Sequence, residues 1–268
     1  MNGIEWWLGC GAIGAFVGVL AGMLGIGGGA IMVPLLASLL DAQGIARSQI
    51  LHLAVGTSMA TILFTSVSSV RAHHVRGAVR WRILKQITPG ILAGGLAGSL
   101  AAGSVSTRGL ALFFALLVYA VGANMLRGHT PKATRDLPGP LGMFTVGAVI
   151  SGLSSLMAIG GAAMTIPFMV FCNVPPIQAV GTASAIGFPI ALAGTVGYVA
   201  SGLAEGGLPL GSLGYVYLPA LAGVTLASVL TAPLGARMAH SLPTKRLKQA
   251  FALLLFFLAT RMLFRFWA

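Results

Sequence analysis

Residues 25–34 read GIGGGAIMVP, and this stretch determines how the surrounding chain can fold. It lies inside an apolar run from Trp6 to Leu40 that contains no charged side chain. Each glycine in a helix interior costs about 1 kcal/mol relative to alanine, and lipid cannot satisfy the backbone groups that a break exposes. The stretch therefore predicts an interruption in a helix, in surroundings where an interruption needs a physical reason.

The composition of the whole chain identifies those surroundings as a membrane. Of 268 residues, 57% are hydrophobic and 7% charged, and the mean hydropathy is +0.94. Soluble domains carry roughly 25% charged residues, so we predict an all-α polytopic membrane protein with room for about eight spans of roughly 20 residues. The opening residues MNGIEWW lack the basic segment of a cleavable signal peptide, so we expect the first apolar run to be retained.

The net charge of +12 arises from 16 Lys and Arg that lie mostly in short connections between apolar runs. This is where the positive-inside rule places them, so we expect contact with the lipid bilayer and no nucleic-acid partner. Cys10 and Cys172 are far apart in apolar surroundings, which favours inert buried thiols over a metal site. We expect no metal and no cofactor.

The apolar runs form two copies of one unit. They lie near residues 6–40, 51–70, 84–103, 109–126, 139–172, 176–199, 213–234 and 247–264. The first and fifth are too long for one span of a roughly 30 Å hydrocarbon core, and each contains a glycine cluster. Three landmarks recur in the same order: GIGGGAIMVP (25–34) and AIGGAAMTIP (158–167), AVGTSMA (54–60) and AVGTASA (179–185), and GSLAAGSVSTRGL (98–110) and GARMAHSLPTKRL (235–247). We predict a first membrane repeat over 1–126, a cytoplasmic linker over 127–138 and a second repeat over 139–268.

The basic residues favour repeats of inverted orientation. If each repeat is a glycine-broken first segment plus three transmembrane helices, twelve of the sixteen Lys and Arg fall on one membrane face and four on the other. Parallel repeats give ten and six, so the positive-inside rule favours inversion. Arg261 and Arg265 fit this arrangement poorly because both lie on the outward face.

The glycine clusters are candidate anion sites. Non-helical backbone at membrane depth is tolerated where it lines a cavity or is buried in protein, and broken helices in transporters direct their positive N-terminal ends at anionic substrates. A bend in each repeat would present free N–H groups to one shared site near the midplane. The predicted substrate-binding glycines are Gly27, Gly28, Gly29, Gly160 and Gly161. Close helix packing is the alternative, and we prefer it for the glycines spaced by four: Gly14, Gly18, Gly22, Gly90, Gly94 and Gly98.

The second landmark carries hydroxyl groups, on Thr57 and Ser58 in the first repeat and on Thr182 and Ser184 in the second. Near the start of a helix these groups could cap it or donate to an oxyanion, whereas a hydroxyl bonded to its own helix is also common. We include all four among the candidate substrate-binding residues, and both functions remain open.

At these landmarks the chain resembles the TauE/SafE family of sulfite exporters, also called TSUP transporters. The resemblance rests on the glycine clusters followed by Pro34 and Pro167, on the A-V-G-T-[SA] elements and on the twofold repeat. It implies secondary transport of small sulfur-containing anions such as sulfite, thiosulfate, sulfoacetate or related organosulfonates, across the bacterial inner membrane. The second copy departs from the pattern, with Ala158 and Ala162 in place of Gly25 and Gly29, which implies that the two bends contribute unequally.

The four acidic residues are Glu5, Asp41, Asp136 and Glu205, and all are predicted at a terminus or in a connection. No carboxylate is therefore available within a span as a proton or sodium relay. Because the membrane potential alone expels an anion, we expect a potential-driven exporter or facilitator with alternating access about a midplane site. No catalytic residue pair or metal cluster is recognisable, so we expect no enzyme. A facilitator of another small anion or of a neutral solute, or a non-transporting assembly subunit, remain the alternatives, and the oligomeric state is open.

Overall fold

A computed structural model describes residues 3–24, 28–127, 135–239 and 244–267. In these residues it has ten helices: α1 Gly3–Leu24, α2 Gly29–Ala42, α3 Arg47–Val75, α4 Trp81–Gly103, α5 Thr107–Arg127, α6 Pro140–Ser155, α7 Ala162–Phe171, α8 Pro176–Leu203, α9 Leu218–Ala239 and α10 Thr244–Trp267. Two short strands, β1 Ser212–Leu213 and β2 Val216–Tyr217, pair antiparallel ahead of α9.

Both long apolar runs divide at their glycine clusters. The first becomes α1 and α2 and the fifth becomes α6 and α7. The hairpin at 212–217 differs from the sequence prediction, which began an apolar helix at residue 213. Gly211 and Gly214 have φ of 87° and 53°, and these left-handed glycines turn the chain back on itself before α9 can start.

Within the described part of the chain, six helices are long and apolar enough to cross a membrane: α1, α3, α5, α8, α9 and α10. The helix α4 spans 23 residues but carries Arg82 and Lys85 near its start, and it is not among the six. The outer helices expose large apolar side chains, including Leu226, Leu230 and Phe257. The chain is therefore an all-helical, multi-pass membrane protein, apart from the short hairpin.

The centre of the molecule consists of α3 and α8, which pack against each other and are mostly buried. Their ends show that they run antiparallel. The side-chain amide of Gln49, near the start of α3, donates to the carbonyl oxygen of Gly206, just beyond the end of α8. Arg80, just beyond the end of α3, donates from Nε to the side-chain oxygen of Gln178, near the start of α8.

Two helix crossings flank this central pair, α1 against α9 and α4 against α6. The glycines spaced by four lie in these crossings, so that backbone meets backbone. Gly14 and Gly18 face the carbonyl oxygens of Val224 and Ser228, and Gly94 faces that of Ala148. Gly90 and Gly98 make equivalent contacts with Phe144 and Gly152. At these five positions the packing interpretation of the glycines is confirmed.

Candidate functional site

Each broken segment resumes its helix after a glycine in the left-handed conformation. Gly28 has φ 68° and precedes α2, and Gly161 has φ 72° and precedes α7. The carbonyl oxygen of Gly28 accepts from the N–H of Met32 at 3.0 Å, and that of Gly161 from Thr165 at 2.9 Å. A side chain at either glycine would be strained because L-residues rarely adopt such angles.

The two breaks lie against each other. A methyl group on Gly29, the first residue of α2, would collide with the carbonyl oxygen of Ala158 in the loop before α7. A methyl group on Gly187 of α8 would lie 3.3 Å from the carbonyl oxygen of Gly160. The structure therefore brings together Gly28, Gly29, Gly160 and Gly161, whereas Gly27 lies outside the described residues.

The central helices α3 and α8 surround this meeting point. The Cδ1 atom of Ile62 on α3 lies 3.1 Å from the position of a Cβ on Gly29, and Ser66, one turn further along α3, approaches Gly187. The first N–H groups of α2 and α7 have no acceptor within their own helices. They give this region a positive electrostatic potential, and both helix starts are buried in protein.

The profile of a known family covers this architecture. The family described as sulfite exporter TauE/SafE matches residues 10–262, which is nearly the whole chain. The chain belongs to the TauE/SafE family. The TauE/SafE chain is a membrane transporter of this family and not an enzyme.

Several relatives are similar over most of the chain. A probable membrane transporter protein of Haemophilus influenzae is 34% identical over 254 residues, covering 94% of this chain and 96% of its own length. One of Methanocaldococcus jannaschii is 26% identical, covering 88% and 87%. The protein YdhB of Bacillus subtilis, also a probable membrane transporter protein, is 25% identical, covering 87% and 91%. No solved structure matches the chain.

In the TauE/SafE chain, the threonines of the two A-V-G-T elements accept hydrogen bonds from the opposite half of the sequence. The hydroxyl oxygen of Thr57 accepts from the N–H of Tyr217, and that of Thr182 accepts from the N–H of Arg80, both at 2.9 Å. Tyr217 and Arg80 directly precede α9 and α4. The sequence suggested that these threonines lie near the start of a helix, but both lie inside their own helices. Instead, each accepts a hydrogen bond from the residue that directly precedes another helix, α9 for Thr57 and α4 for Thr182.

The two serines of this landmark differ from each other. Ser184 donates to the carbonyl oxygen of Val180 in its own helix at 3.0 Å. Ser58 is fully buried, and its hydroxyl has no hydrogen-bond partner among the described residues. It lies four residues before Ile62, on the face of α3 that reaches Gly29. Ser58 therefore carries an unsatisfied hydroxyl one helical turn from Ile62. Among the described residues, Ser154 and Ser155 at the end of α6 carry buried hydroxyls of the same kind.

Sequence reasoning did not select Ser66 or Gly187, which also lie at the breaks. Gly187 lies two residues beyond the AVGTASA motif, so no repeated motif includes it. Gly160, which lies close to it in the structure, belongs to a different motif. Ser66 belongs to no repeated motif, so the sequence does not distinguish it from other helix serines. In the structure it donates to the carbonyl oxygen of Leu63.

The four carboxylates lie away from the breaks. Glu5 is in the first turn of α1 and Asp136 precedes α6. Glu205 follows α8 and lies close to Tyr215; burial, and then the negative charge of this carboxylate, raise the pKa of that phenol. Asp41, in the last turn of α2, forms an ion pair with Arg265 of α10.

Proposed function

We propose that this chain is a secondary transporter of small sulfur-containing anions in the bacterial inner membrane. Its substrates are sulfite, thiosulfate, sulfoacetate or related organosulfonates. The observation that carries the proposal is the meeting of two helix breaks, at Gly28 and Gly161, inside the protein. The family description supports the substrate class.

The proposed architecture is a pair of inverted repeats, residues 1–126 and 139–268, joined by a cytoplasmic linker over 127–138. The antiparallel course of α3 and α8, which occupy equivalent places in the two repeats, supports this inversion. Contacts that exchange between the two halves support the twofold repeat itself. Gly14 faces the carbonyl oxygen of Val224, and the equivalent Gly147 faces that of Ile87.

The anion binds where the first N–H groups of α2 and α7 converge, at Gly28, Gly29, Gly160 and Gly161, and Gly27 is proposed with them from the sequence alone. Helix N-termini suit this ligand because unpaired N–H groups and the helix dipole both favour negative charge. Ser58 donates its hydroxyl to the same oxyanion, whereas Thr57, Thr182 and Ser184 shape the site through the backbone contacts that they make.

Alternating access exposes this site to each membrane face in turn. No carboxylate is needed for export, since an inside-negative potential supplies about 2.3 kcal/mol per charge per 100 mV. The interhelical contacts of Thr57 and Thr182 tie α3 and α8 to the starts of α9 and α4, so these helix pairs move as units while the breaks change their exposure.

Purified protein in proteoliposomes tests the proposal. A panel of radiolabelled sulfite, thiosulfate, sulfoacetate and small carboxylates is offered under an imposed potential. We expect saturable flux of at least one sulfur anion that reverses with the sign of the potential. Flux of a neutral solute that ignores the potential would support a facilitator instead, and no flux or counterflow of any kind would support a non-transporting subunit.

A further inference from the structure

A cluster of basic side chains lies where the chain passes from α3 to α4, away from the helix breaks. Residues 71–85 read RAHHVRGAVRWRILK and contain five Arg and Lys but no acidic residue. One of the five is held by α8, since Arg80 donates from Nε to Gln178 at 2.6 Å and from its N–H to Thr182. Among the described residues, the other four form no ion pair with a carboxylate.

The length of α4 determines how deep these cations lie in the membrane. The helix has 23 residues, which is about 34 Å, and a hydrocarbon core of roughly 30 Å needs nearly all of it. The first turn of α4 therefore lies at the level of the lipid headgroups. From there the long side chains of Arg82 and Lys85 extend along the apolar surface and place their charges among the phosphates.

One side of α4 is turned toward lipid along its whole length. Trp81, Lys85, Leu92, Leu96 and Leu100 are exposed and follow one another at helical spacing on this side. The other sides of α4 pack against α6 and α8. The exposed side is therefore apolar over most of its length and ends in a tryptophan and a lysine at the headgroup level.

A hydrogen bond positions the tryptophan at this level. The Nε1 of Trp81 donates to Nδ1 of His74 at 3.3 Å, and the two rings are in edge contact with centroids 5.3 Å apart. This bond ties the start of α4 to the last turn of α3. It thereby brings Arg76, the residue that follows α3, to the same membrane surface as Arg82 and Lys85.

The packing of the fold does not require basic side chains here. The equivalent helix of the second half, α9, carries Leu218, Pro219 and Ala222 at the positions of the tryptophan, the arginine and the lysine. It nevertheless forms the matching crossing with α1. Cations near a helix N-terminus are also disfavoured by the helix dipole, and the first turn of α4 holds no acidic residue.

One carboxylate lies at this end of the molecule. The helix α6 runs parallel to α4, since Gly90 and Gly94 face Phe144 and Ala148 in turn, so Asp136 ahead of α6 is on the same side of the membrane. It forms no ion pair in the part of the chain that the structure describes. The positive charges at the start of α4 are therefore left for a partner outside the chain.

We propose that Arg76, Trp81, Arg82 and Lys85 form a binding surface for the headgroups of anionic phospholipids. The planar forks of the two arginines match phosphate oxygens, and basic clusters beside a membrane helix attract anionic lipids. The indole lies at the boundary of headgroups and acyl chains, as is typical of tryptophan. A zwitterionic lipid fits less well because its choline group places a positive charge beside these cations. Such binding is independent of which solute the chain transports.

Quenching of Trp81 fluorescence by brominated lipids tests the proposal in the wild type. The protein is placed in bilayers of equal parts phosphatidylcholine and phosphatidylglycerol, with bromine on the acyl chains of one lipid at a time. The difference between the protein and its Trp81→Phe variant isolates the signal of this residue. We expect stronger quenching by brominated phosphatidylglycerol, and a preference that weakens in high salt. Equal quenching by both lipids would overturn the proposal.

The double variant R82Q/K85Q identifies the residues responsible. Its matched control is R47Q/R108Q, because both of these arginines are exposed at helix starts on the opposite end of α3. Each basic residue near an anionic surface changes lipid binding about fivefold, so the preference for phosphatidylglycerol falls at least about fivefold in R82Q/K85Q and is unchanged in the control.

The orientation of the double variant is verified by maleimide labelling of Ile177→Cys, which lies at the same end near Gln178. A correctly oriented R82Q/K85Q protein with the lipid preference of the wild type would show that these residues only direct insertion, and would contradict the proposed surface.

Discussion

Two adjacent residues on α3, Thr57 and Ser58, show how position within a helix decides whether a buried hydroxyl finds a hydrogen-bond partner. Both are fully buried. Thr57 accepts the N–H of Tyr217 across 160 residues of sequence, whereas Ser58 has no partner in the described part of the chain. A buried polar group without a partner is costly, and a ligand that accepts its hydrogen bond removes that cost.

Replacing Thr57 by valine is expected to destabilise the protein. Valine preserves the shape but leaves the N–H of Tyr217 buried without an acceptor, which costs about 1–3 kcal/mol. Thermal unfolding in detergent measures the loss, and Thr182→Val gives the equivalent test at Arg80. The control is Ser184→Ala, which is expected to be nearly neutral because Ser184 bonds only to its own helix. A Thr57→Val protein as stable as wild type would show that this contact is dispensable.

Replacing Ser58 by alanine is expected to leave stability unchanged or slightly raised while weakening transport. Loss of one hydrogen bond to a charged ligand raises the half-saturating anion concentration about tenfold. Ser151→Ala is the matched control, since Ser151 is also buried and unpartnered but lies in the crossing of α6 with Gly95 of α4. Unaltered kinetics in Ser58→Ala would remove Ser58 from the substrate site.

At the scale of elements, the sequence predicted where helices break but not what the breaks touch. The glycine clusters identified both interruptions because three consecutive glycines, or two glycines beside an alanine, weaken a helix locally. The apposition of Gly29 with Ala158 joins residues 129 positions apart, and the pairing of Asp41 with Arg265 joins residues 224 apart. Neither pair leaves a local pattern in the sequence. The hairpin before α9 was missed because its strands are only two residues long.

A methyl group at position 29 tests whether the two breaks must touch. Gly29→Ala drives a Cβ into the backbone carbonyl of Ala158, which cannot move as the end of a side chain can. Overpacking of this kind costs typically 1–3 kcal/mol, and we expect the shifted α2 to abolish anion flux in proteoliposomes.

Gly11→Ala on α1 is the control for this change. Its Cβ would meet nothing within 4 Å, so the variant is expected to keep full flux and to gain up to about 1 kcal/mol of helix stability. Wild-type flux in Gly29→Ala would show that α2 can separate from the second break without consequence for transport.

At the scale of the whole molecule, the contacts repeat when the two halves are exchanged. Thr57 with Tyr217 corresponds to Thr182 with Arg80, and the crossing of α1 with α9 corresponds to that of α4 with α6. Independently of this exchange, the hydrogen bonds at the ends of α3 and α8 show that these two helices run in opposite directions. The ion pair of Asp41 with Arg265 departs from this symmetry, since the position equivalent to Asp41 holds Val174.

Cysteine accessibility tests this orientation directly in cells. Single cysteines replace four exposed residues, Ser48 and Ala72 at the two ends of α3 and Ile177 and Ala204 at the two ends of α8. Both native cysteines are buried, so their background reaction with a maleimide is low.

With inverted repeats, a membrane-impermeant maleimide labels Ser48→Cys and Ala204→Cys in intact cells, because Arg47 and the α8–α9 connection lie on the outer face. Ala72→Cys and Ile177→Cys react only after permeabilisation, since the basic residues that follow α3 mark the cytoplasmic face. Joint labelling of Ser48→Cys and Ile177→Cys in intact cells would instead require parallel repeats, and the hydrogen bond from Gln49 to Gly206 could not then form.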